Sequence, residues 1–181
     1  MAPPTSPPFF EVTTTSEPNI DAVYADGVVV DAPCSSSQLV LRPGPLVREP
    51  TGRHSLSLSL VNTSPSACEL VGYPIVALVR AGGRPLAFDY RHERGQVVTG
   101  APPAPVEIAP GRVAHATIDE YRCDRSSVDT AAIVELTPPG AGEPLSLPVP
   151  DSRLGYCGPD DPGSVVDVSP VEPTQGDTLS H

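Results

Sequence analysis

Proline and glycine recur along the whole of this chain and limit the length of any regular element. The 25 prolines and 15 glycines among 181 residues are not confined to one linker. Proline ends a helix, and the residue before it avoids the α-helical region, so this spacing breaks every apolar run before a long helix could form. No run approaches the roughly 20 apolar residues that span a membrane. We therefore expect short elements.

The segment from His54 to Asn62 carries the clearest strand signal. Leu56, Leu58 and Leu60 alternate there with serines, so one face should meet a core and the other should meet water. Further strands are predicted at residues 38–42, 75–80, 85–90, 106–108, 113–119, 131–137, 145–149 and 165–169. Short strands separated by turn signals predict an all-β fold, an antiparallel β-sandwich.

The charge of the chain argues against nucleic acid as a partner. The net charge is −11, and residues 1–33 contain five acidic side chains and no basic one. An acidic chain without a basic patch repels a phosphate backbone. The basic residues are all arginine, and with the abundant Ala, Val, Pro and Gly this composition is typical of a high-GC, actinobacterial genome.

Composition divides the chain into three parts. Residues 1–33 form an acidic stalk rich in Pro, Thr and Ser, in which 20–31 could add a strand; residues 34–171 form the β-domain; residues 172–181 form a polar tail. No leader peptide is expected in this chain, because no charged segment followed by an apolar one precedes the stalk. Either a leader has been removed, or the protein is cytoplasmic with reduced cysteines. A stalk before a cystine-framed domain favours the first explanation.

The cysteines Cys34, Cys68, Cys123 and Cys157 indicate the compartment. An even number without a C-x-x-C motif predicts disulfides, which persist in oxidising surroundings. We therefore expect an extracellular or cell-envelope protein. A four-cysteine zinc site is disfavoured because paired short spacings are missing. No metal and no cofactor is expected.

A series of landmarks gives the chain a family resemblance. The most specific is Asn62-Thr63-Ser64 followed by Cys68-Glu69-Leu70-Val71-Gly72-Tyr73-Pro74; the others are Cys34, 108–111, 114–116, 134–140, Cys157-Gly158 and 168–171. In this order, over about residues 34–171, they resemble an actinobacterial family of secreted proteins and lipoproteins catalogued only as a domain of unknown function. The resemblance implies an immunoglobulin-like β-sandwich in the envelope and brings no catalytic residues. The lipid-attachment cysteine of the lipoprotein members does not occur here, so we expect membrane attachment only through an anchor that this sequence lacks.

Two motifs are expected to shape turns. Gly72 allows a sharp turn before Tyr73 and Pro74, and Pro74 keeps Tyr73 extended. Tyr73 can bury its ring while its hydroxyl meets a polar partner. Pro110-Gly111 fits the central positions of a type II turn. We assign these residues structural roles.

Two disulfide pairings compete. The favoured one joins Cys34 to Cys68 and Cys123 to Cys157, with a sequence separation of 34 in each pair. The alternative joins Cys68 to Cys123, because Tyr121 precedes Cys123 with the spacing of the tyrosine corner in immunoglobulin domains. The absence of tryptophan weakens that alternative.

No arrangement in the sequence predicts catalysis. The histidines His54, His92, His115 and His181 are scattered, and His115 is explained by a position in a strand. A Ser-His-Asp triad assembles in space, so sequence alone does not exclude one, but a Gly-x-Ser-x-Gly elbow is missing.

Three polar segments are given structural interpretations. Asp119, Glu120, Asp124 and Asp129 lack the spacing of a calcium loop and predict a solvated loop. The basic run 91–94 beside Tyr90 is expected to be a charged strand-end turn, although it could bind an anionic envelope polymer. The sequon at Asn62 is expected to cap a turn.

These observations favour a non-catalytic binding or interaction module outside the cytoplasm. Its target would be an unidentified envelope polymer or protein. One alternative is a structural subunit of an extracellular or virion-like assembly. The other is a hydrolase with an unrecognised site.

Overall fold

Short strands make up almost all of the regular structure. The computed structural model describes residues 32–123, 128–151 and 153–181. The stalk and the strand expected within residues 20–31 lie outside these ranges. The described strands are β1 (Leu39–Pro43), β2 (Arg53–Asn62), β3 (Cys68–Leu70), β4 (Ile75–Val79), β5 (Asp89–Arg91), β6 (Val106–Ile108), β7 (Val113–Tyr121), β8 (Asp129–Thr130), β9 (Ile133–Thr137), β10 (Leu145–Pro148), β11 (Gly155–Tyr156) and β12 (Val165–Val168). Three-residue 3-10 helices lie at Ser36–Gln38, Pro162–Ser164 and Gly176–Thr178. The predicted all-β class is confirmed.

The largest sheet has five strands in the order β1-β2-β7-β12-β5. Its centre is the antiparallel pair β2–β7, in register from Arg53 opposite Tyr121 to Val61 opposite Val113. Strand β5 runs parallel to β12, and the other pairs in this sheet are antiparallel. Antiparallel pairing is therefore confirmed, with the short β5 as the exception.

A second antiparallel sheet has the order β10-β9-β4, and two small ladders join β3 to β6 and β8 to β11. Leu58, Leu60 and Val166 of the large sheet share one apolar core with Leu78 and Leu136 of the second sheet. Because both sheets contribute their apolar faces to the same buried cluster, they face each other as two layers.

The Leu/Ser alternation of β2 is confirmed on one face only. Leu58 and Leu60 are fully buried in the core, but Ser57 and Ser59 are also buried, at 3% and 7% exposed. The expected solvent face is covered because residues 170–181, predicted as a polar tail from 172 onward, lie against it. The backbones of His115 and Glu172 exchange two hydrogen bonds of 2.8 Å there.

The favoured disulfide pairing is confirmed, and the alternative joining Cys68 to Cys123 is wrong. Cys34–Cys68 ties the segment before β1 to β3, and Cys123–Cys157 ties the end of β7 to the segment after β11. Tyr121 does not form a tyrosine corner, since its ring lies against the guanidinium of Arg53 on the outer face.

The turn at Gly72 lies beside the C-terminal segment. Gly72 has a φ of +114°, which only glycine adopts readily, and its carbonyl accepts a 3.0 Å hydrogen bond from Val171. Tyr73, followed by Pro74, stacks on His92 with 4.3 Å between ring centroids.

Pro110-Gly111 stands at the centre of a tight turn. Arg112 donates to the Ala109 carbonyl over 2.9 Å, and Gly111 has a φ of +73°, which is the geometry of a type II turn.

Replacing Cys34 and Cys68 together by alanine should lower the free energy of unfolding by about 4 kcal/mol, the loop-entropy value for a 34-residue separation. Both cysteines are only 2% exposed, so the expected loss includes a small void as well. Urea denaturation of the oxidised proteins measures it. Equal midpoints for the variant and the wild type would contradict the stabilising role of this bridge.

Candidate functional site

Strand β2 begins with two polar side chains that lie on opposite faces of the large sheet. Arg53 lies opposite Tyr121 on the outer face, and His54 lies opposite Glu120 on the core face. Successive side chains in a strand alternate between faces, so this single dipeptide places a charged group on each side of the sheet. A cavity adjoins each of them.

On the outer face, Arg53 is the centre of a buried ionic network. Its side chain is 2% exposed, and that of Asp119 is fully buried. The Nε and a terminal nitrogen of Arg53 both donate to Asp119 Oδ2, and the terminal nitrogen also donates to Asp167 Oδ2 over 3.0 Å. Ser55 donates to the other oxygen of Asp119 over 2.6 Å. Burial lowers the pKa of Arg53, but the bonds to the two aspartates outweigh it and raise that pKa, so the guanidinium stays charged.

Two neighbours hold this network in place. The ring centroid of Tyr121 lies 4.0 Å from the Arg53 Cζ, a cation–π contact. Gly95 approaches so closely that a β-carbon there would lie 2.6 Å from Asp167 Oδ2. The same carboxylate oxygen of Asp167 therefore contacts both Gly95 and the Arg53 guanidinium.

In front of the network lies a cleft of about 660 Å³. Its charged lining residues are Arg53, Arg91, Asp89, Asp160, Asp161 and Asp167, and Tyr121 and Tyr156 contribute rings. Arg91 donates two hydrogen bonds, of 3.1 and 3.0 Å, to Asp89 Oδ2. The cleft thus presents arginine–aspartate pairs beside aromatic rings, with more carboxylates than guanidinium groups.

The segment 159–164 forms one rim of the cleft and is held by the second disulfide. Gly163 packs so tightly that a β-carbon there would overlap the sulfur of Cys157. Cys157 donates its backbone N–H to Ser164 Oγ over 3.0 Å, and Gly163 donates to Asp161 Oδ1 over 2.9 Å. The bridge that indicates the compartment therefore also fixes this rim.

On the core face, Glu120 is fully buried and accepts a 2.8 Å hydrogen bond from the Gly155 N–H. Its Oε1 lies 3.7 Å from His54 Nδ1, and its Oε2 has no hydrogen-bond partner among the described residues. Burial is the main cause that raises the pKa of Glu120 to about 8, and the charge of Asp119 adds to it. Glu120 is therefore mostly neutral at pH 7.

A smaller pocket of about 300 Å³ lies beside His54. Its walls include Leu56, Val149 and Leu154, and the exposed ion pair of Arg153 with Glu49 contributes to the lining. His54 lines this pocket, whereas Glu120, 3.7 Å from the His54 ring nitrogen, does not.

A serine and a histidine meet beneath the C-terminal segment. Ser59 Oγ lies 3.2 Å from His115 Nδ1, and the two residues are 7% and 9% exposed. Burial lowers the pKa of His115. Neither residue lines either of the two cavities described here. The pair therefore lies nearly buried and outside both cavities.

The acidic segment near residue 120 does not form the solvated loop that was expected. Asp119 and Glu120 belong to β7 and are both fully buried, because their strand is central in the large sheet. They point to opposite faces, and Asp129 is paired with Arg80 over 3.2 Å. Asp124 lies outside the described residues.

Within residues 32–123, 128–151 and 153–181, no group of three His, Cys, Asp or Glu is placed to hold a metal.

The other polar segments have local roles. Asn62 is fully buried and its side-chain amide donates to the carbonyls of Ser66 and Ile108, so it caps a turn as predicted. The two arginines of the basic run 91–94 have separate partners. Arg91 is paired with Asp89 in the cleft, and Arg94 donates to the His181 carbonyl over 3.1 Å.

Arg53, Asp167 and Tyr156 were not predicted to share a site, because residue type gives no reason to bring a strand-start arginine to an aspartate 114 residues later. The sequence does contain a signal for the burial of Glu120. Alternation through β7 puts it on the same face as Ala116 and Ile118, which meets the core.

Replacing Arg53 by leucine should destabilise the protein by about 3–5 kcal/mol, because the buried carboxylate of Asp119 would lose its partner. The double variant Arg53→Leu with Asp119→Leu should recover part of that loss. Arg80→Leu, which breaks an exposed pair, should cost at most about 1 kcal/mol. Chemical denaturation measures all three. Equal losses for Arg53→Leu and Arg80→Leu would contradict the central place of Arg53.

Glu120→Gln should flatten the dependence of stability on pH. In the folded protein the pKa of Glu120 rises from an ordinary 4.5 to about 8. Between these values the unfolded chain has released the proton and the folded chain has kept it, so wild-type stability should fall as pH rises and then level off. Glutamine imitates the neutral acid and should remove this contribution, so the variant gains on the wild type toward pH 8.

Thermal denaturation across pH 4–9 measures this difference, and Glu107→Gln, at an exposed position, is the matched control. Parallel curves for Glu120→Gln and the wild type would contradict a neutral, buried Glu120.

Comparisons with known proteins place the chain in a family. None of the helices in the described ranges has the length and apolar character needed to cross a membrane. No curated protein and no solved structure matches the chain. A family model matches residues 34–172, which is most of the chain. The chain therefore belongs to the family described as "Domain of unknown function (DUF4232)".

Proposed function

We propose that this domain is a non-catalytic binding module that acts outside the cytoplasm and takes its ligand in the cleft beside Arg53. The observation that carries the proposal is the cleft of about 660 Å³, in whose lining Arg53 and Asp167 are already held together by a hydrogen bond. Ligand sites are concave, largely pre-formed and commonly about 300–1,000 Å³ in volume. This cleft fits that description.

Rigidity of the lining supports binding. Arg53 and Asp167 belong to neighbouring regions of one sheet and are locked together by hydrogen bonds. The rim at 159–164 is tied to Cys157. Groups held in place before binding lose little conformational entropy when a ligand arrives, so affinity is improved.

The absence of catalysis is supported by the chemistry of the lining. The residues that line the cleft include no histidine and no cysteine. Its one serine, Ser164, already receives the Cys157 N–H. A Ser59–His115 pair would favour the hydrolase alternative if it were accessible. Both residues are buried, and the C-terminal segment lies against His115.

Two disulfides support an oxidising location. We propose that the protein is actinobacterial, secreted or lipoprotein-like, and that residues 1–33 hold the domain away from its anchor at the cell envelope. Two facing sheets are compatible with an immunoglobulin-like classification, which stays part of this proposal.

Retention on envelope fractions tests the function. Wild-type protein should bind a fraction of polymer or protein, and Arg91→Gln combined with Asp160→Asn should reduce that binding at least tenfold, because both side chains line the cleft. Asparagine tolerates the positive φ of 60° at position 160.

Arg80→Gln is the matched control, since it also removes an exposed, paired arginine but lies outside the cleft lining. If the protein binds none of the fractions, the proposed binding function is contradicted. Binding that the cleft variant leaves unchanged would place the ligand elsewhere. Turnover of a hydrolase substrate would show that the protein is an enzyme and would overturn the proposal of a non-catalytic module.

A further inference from the structure

We propose that the ligand of the cleft is a neutral carbohydrate chain, an inference that rests on the proposed binding function. The cleft combines paired charges, fixed aromatic rings and a surplus of carboxylates. Each of these features selects among ligand chemistries, and together they favour a polyhydroxyl compound without charge.

The paired charges suit hydroxyl groups. Both hydrogen bonds from Arg91 fall on Asp89 Oδ2, and the bond from Arg53 to Asp167 also falls on Oδ2. A hydroxyl donates one hydrogen and accepts at two lone pairs, so it can donate to the Oδ1 of an aspartate and accept from an arginine N–H without separating the pair. Hydrogen bonds to charged groups are the stronger ones. An ionic ligand that pairs with one of these four side chains would have to displace its partner.

The aromatic rings suit the apolar faces of sugars. Tyr121 is 50% exposed and is held from one side by Arg53. Tyr156 is fixed against Phe88 in an edge-to-face contact with 5.5 Å between centroids. Both rings line the cleft, so a pyranose can lay its C–H groups on them while its hydroxyls meet the charged pairs.

Charge excludes the alternatives. Four aspartates and two arginines line the cleft, so a phosphate or carboxylate polymer is repelled. A cation would be drawn to a place between carboxylates and an aromatic face. Arg53 already occupies that place, between Asp119, Asp167 and the ring of Tyr121.

Binding of defined oligosaccharides to the full chain tests this inference. The neutral probes are gluco-, manno-, galacto- and arabino-oligosaccharides; chitosan oligosaccharides and a lysine-rich peptide represent cations, and oligogalacturonate represents anions. Calorimetry measures affinity, and amide NMR shifts map the contact surface. A neutral probe should shift resonances of residues 89–91, 121 and 159–167. Its affinity should change less than twofold between about 0.05 and 0.5 M salt, since screening acts on charges.

The cleft variant Arg91→Gln with Asp160→Asn should lose at least tenfold in affinity for that probe, and Arg80→Gln should keep the wild-type value. Salt-sensitive binding of the peptide or of chitosan in the cleft would show a charged ligand, which would overturn the inference of a neutral carbohydrate and leave the binding function standing. If no neutral probe binds while the protein is still retained on an envelope fraction, the neutral-carbohydrate inference is overturned and the binding function stands. Amide shifts confined to surfaces outside the cleft would overturn both the carbohydrate inference and the proposal that the cleft is the binding site.

Discussion

The antiparallel pairing of β2 with β7 is the interaction on which the rest of the structure depends. Nine residue pairs fix it, and three of them, beginning with Arg53 opposite Tyr121, involve charged or aromatic side chains at the end of the ladder. A slip of one residue would send Arg53 to the core face and leave Asp119 buried without its partner. We infer that the ionic network specifies this register, since a misplaced buried charge is more costly than a misplaced apolar side chain.

The cleft is built around this pairing by groups from distant parts of the chain. Strand β12 adds Asp167 on the free side of β7, and β5 adds Asp89 and Arg91 on the far side of β12. The segment 159–164 closes the rim because Gly163 lies against the Cys123–Cys157 bridge. The parallel pairing of β5 has a structural consequence, since it brings a second arginine–aspartate pair to the same opening as the first.

The sequence predicts the strands whose own residues carry a pattern and leaves the site unpredicted. The alternation at Leu56–Leu60 is strong enough to identify β2, whereas β3, β8 and β11 have only two or three residues and show no period. Arg53 has the residue type of a solvent-exposed strand end. Its burial depends on Asp119 and Asp167, 66 and 114 residues later, so only the tertiary pairing reveals it. The burial of Ser59 has the same origin, because the C-terminal segment that pairs with the neighbouring His115 carries no pattern of its own.

The neutral state of Glu120 completes the balance of charges at this end of the sheet. Glu120 and Asp119 are consecutive and lie on opposite faces, so one layer of backbone separates the buried acid from the Arg53 network. If Glu120 were ionised, three carboxylates would share a single buried guanidinium. Burial raises the pKa of Glu120 and the negative charge of Asp119 reinforces that rise, so the proton stays where it limits repulsion. The protonation of Glu120 on the core face is therefore coupled to the charges of Asp119 and Arg53 on the outer face.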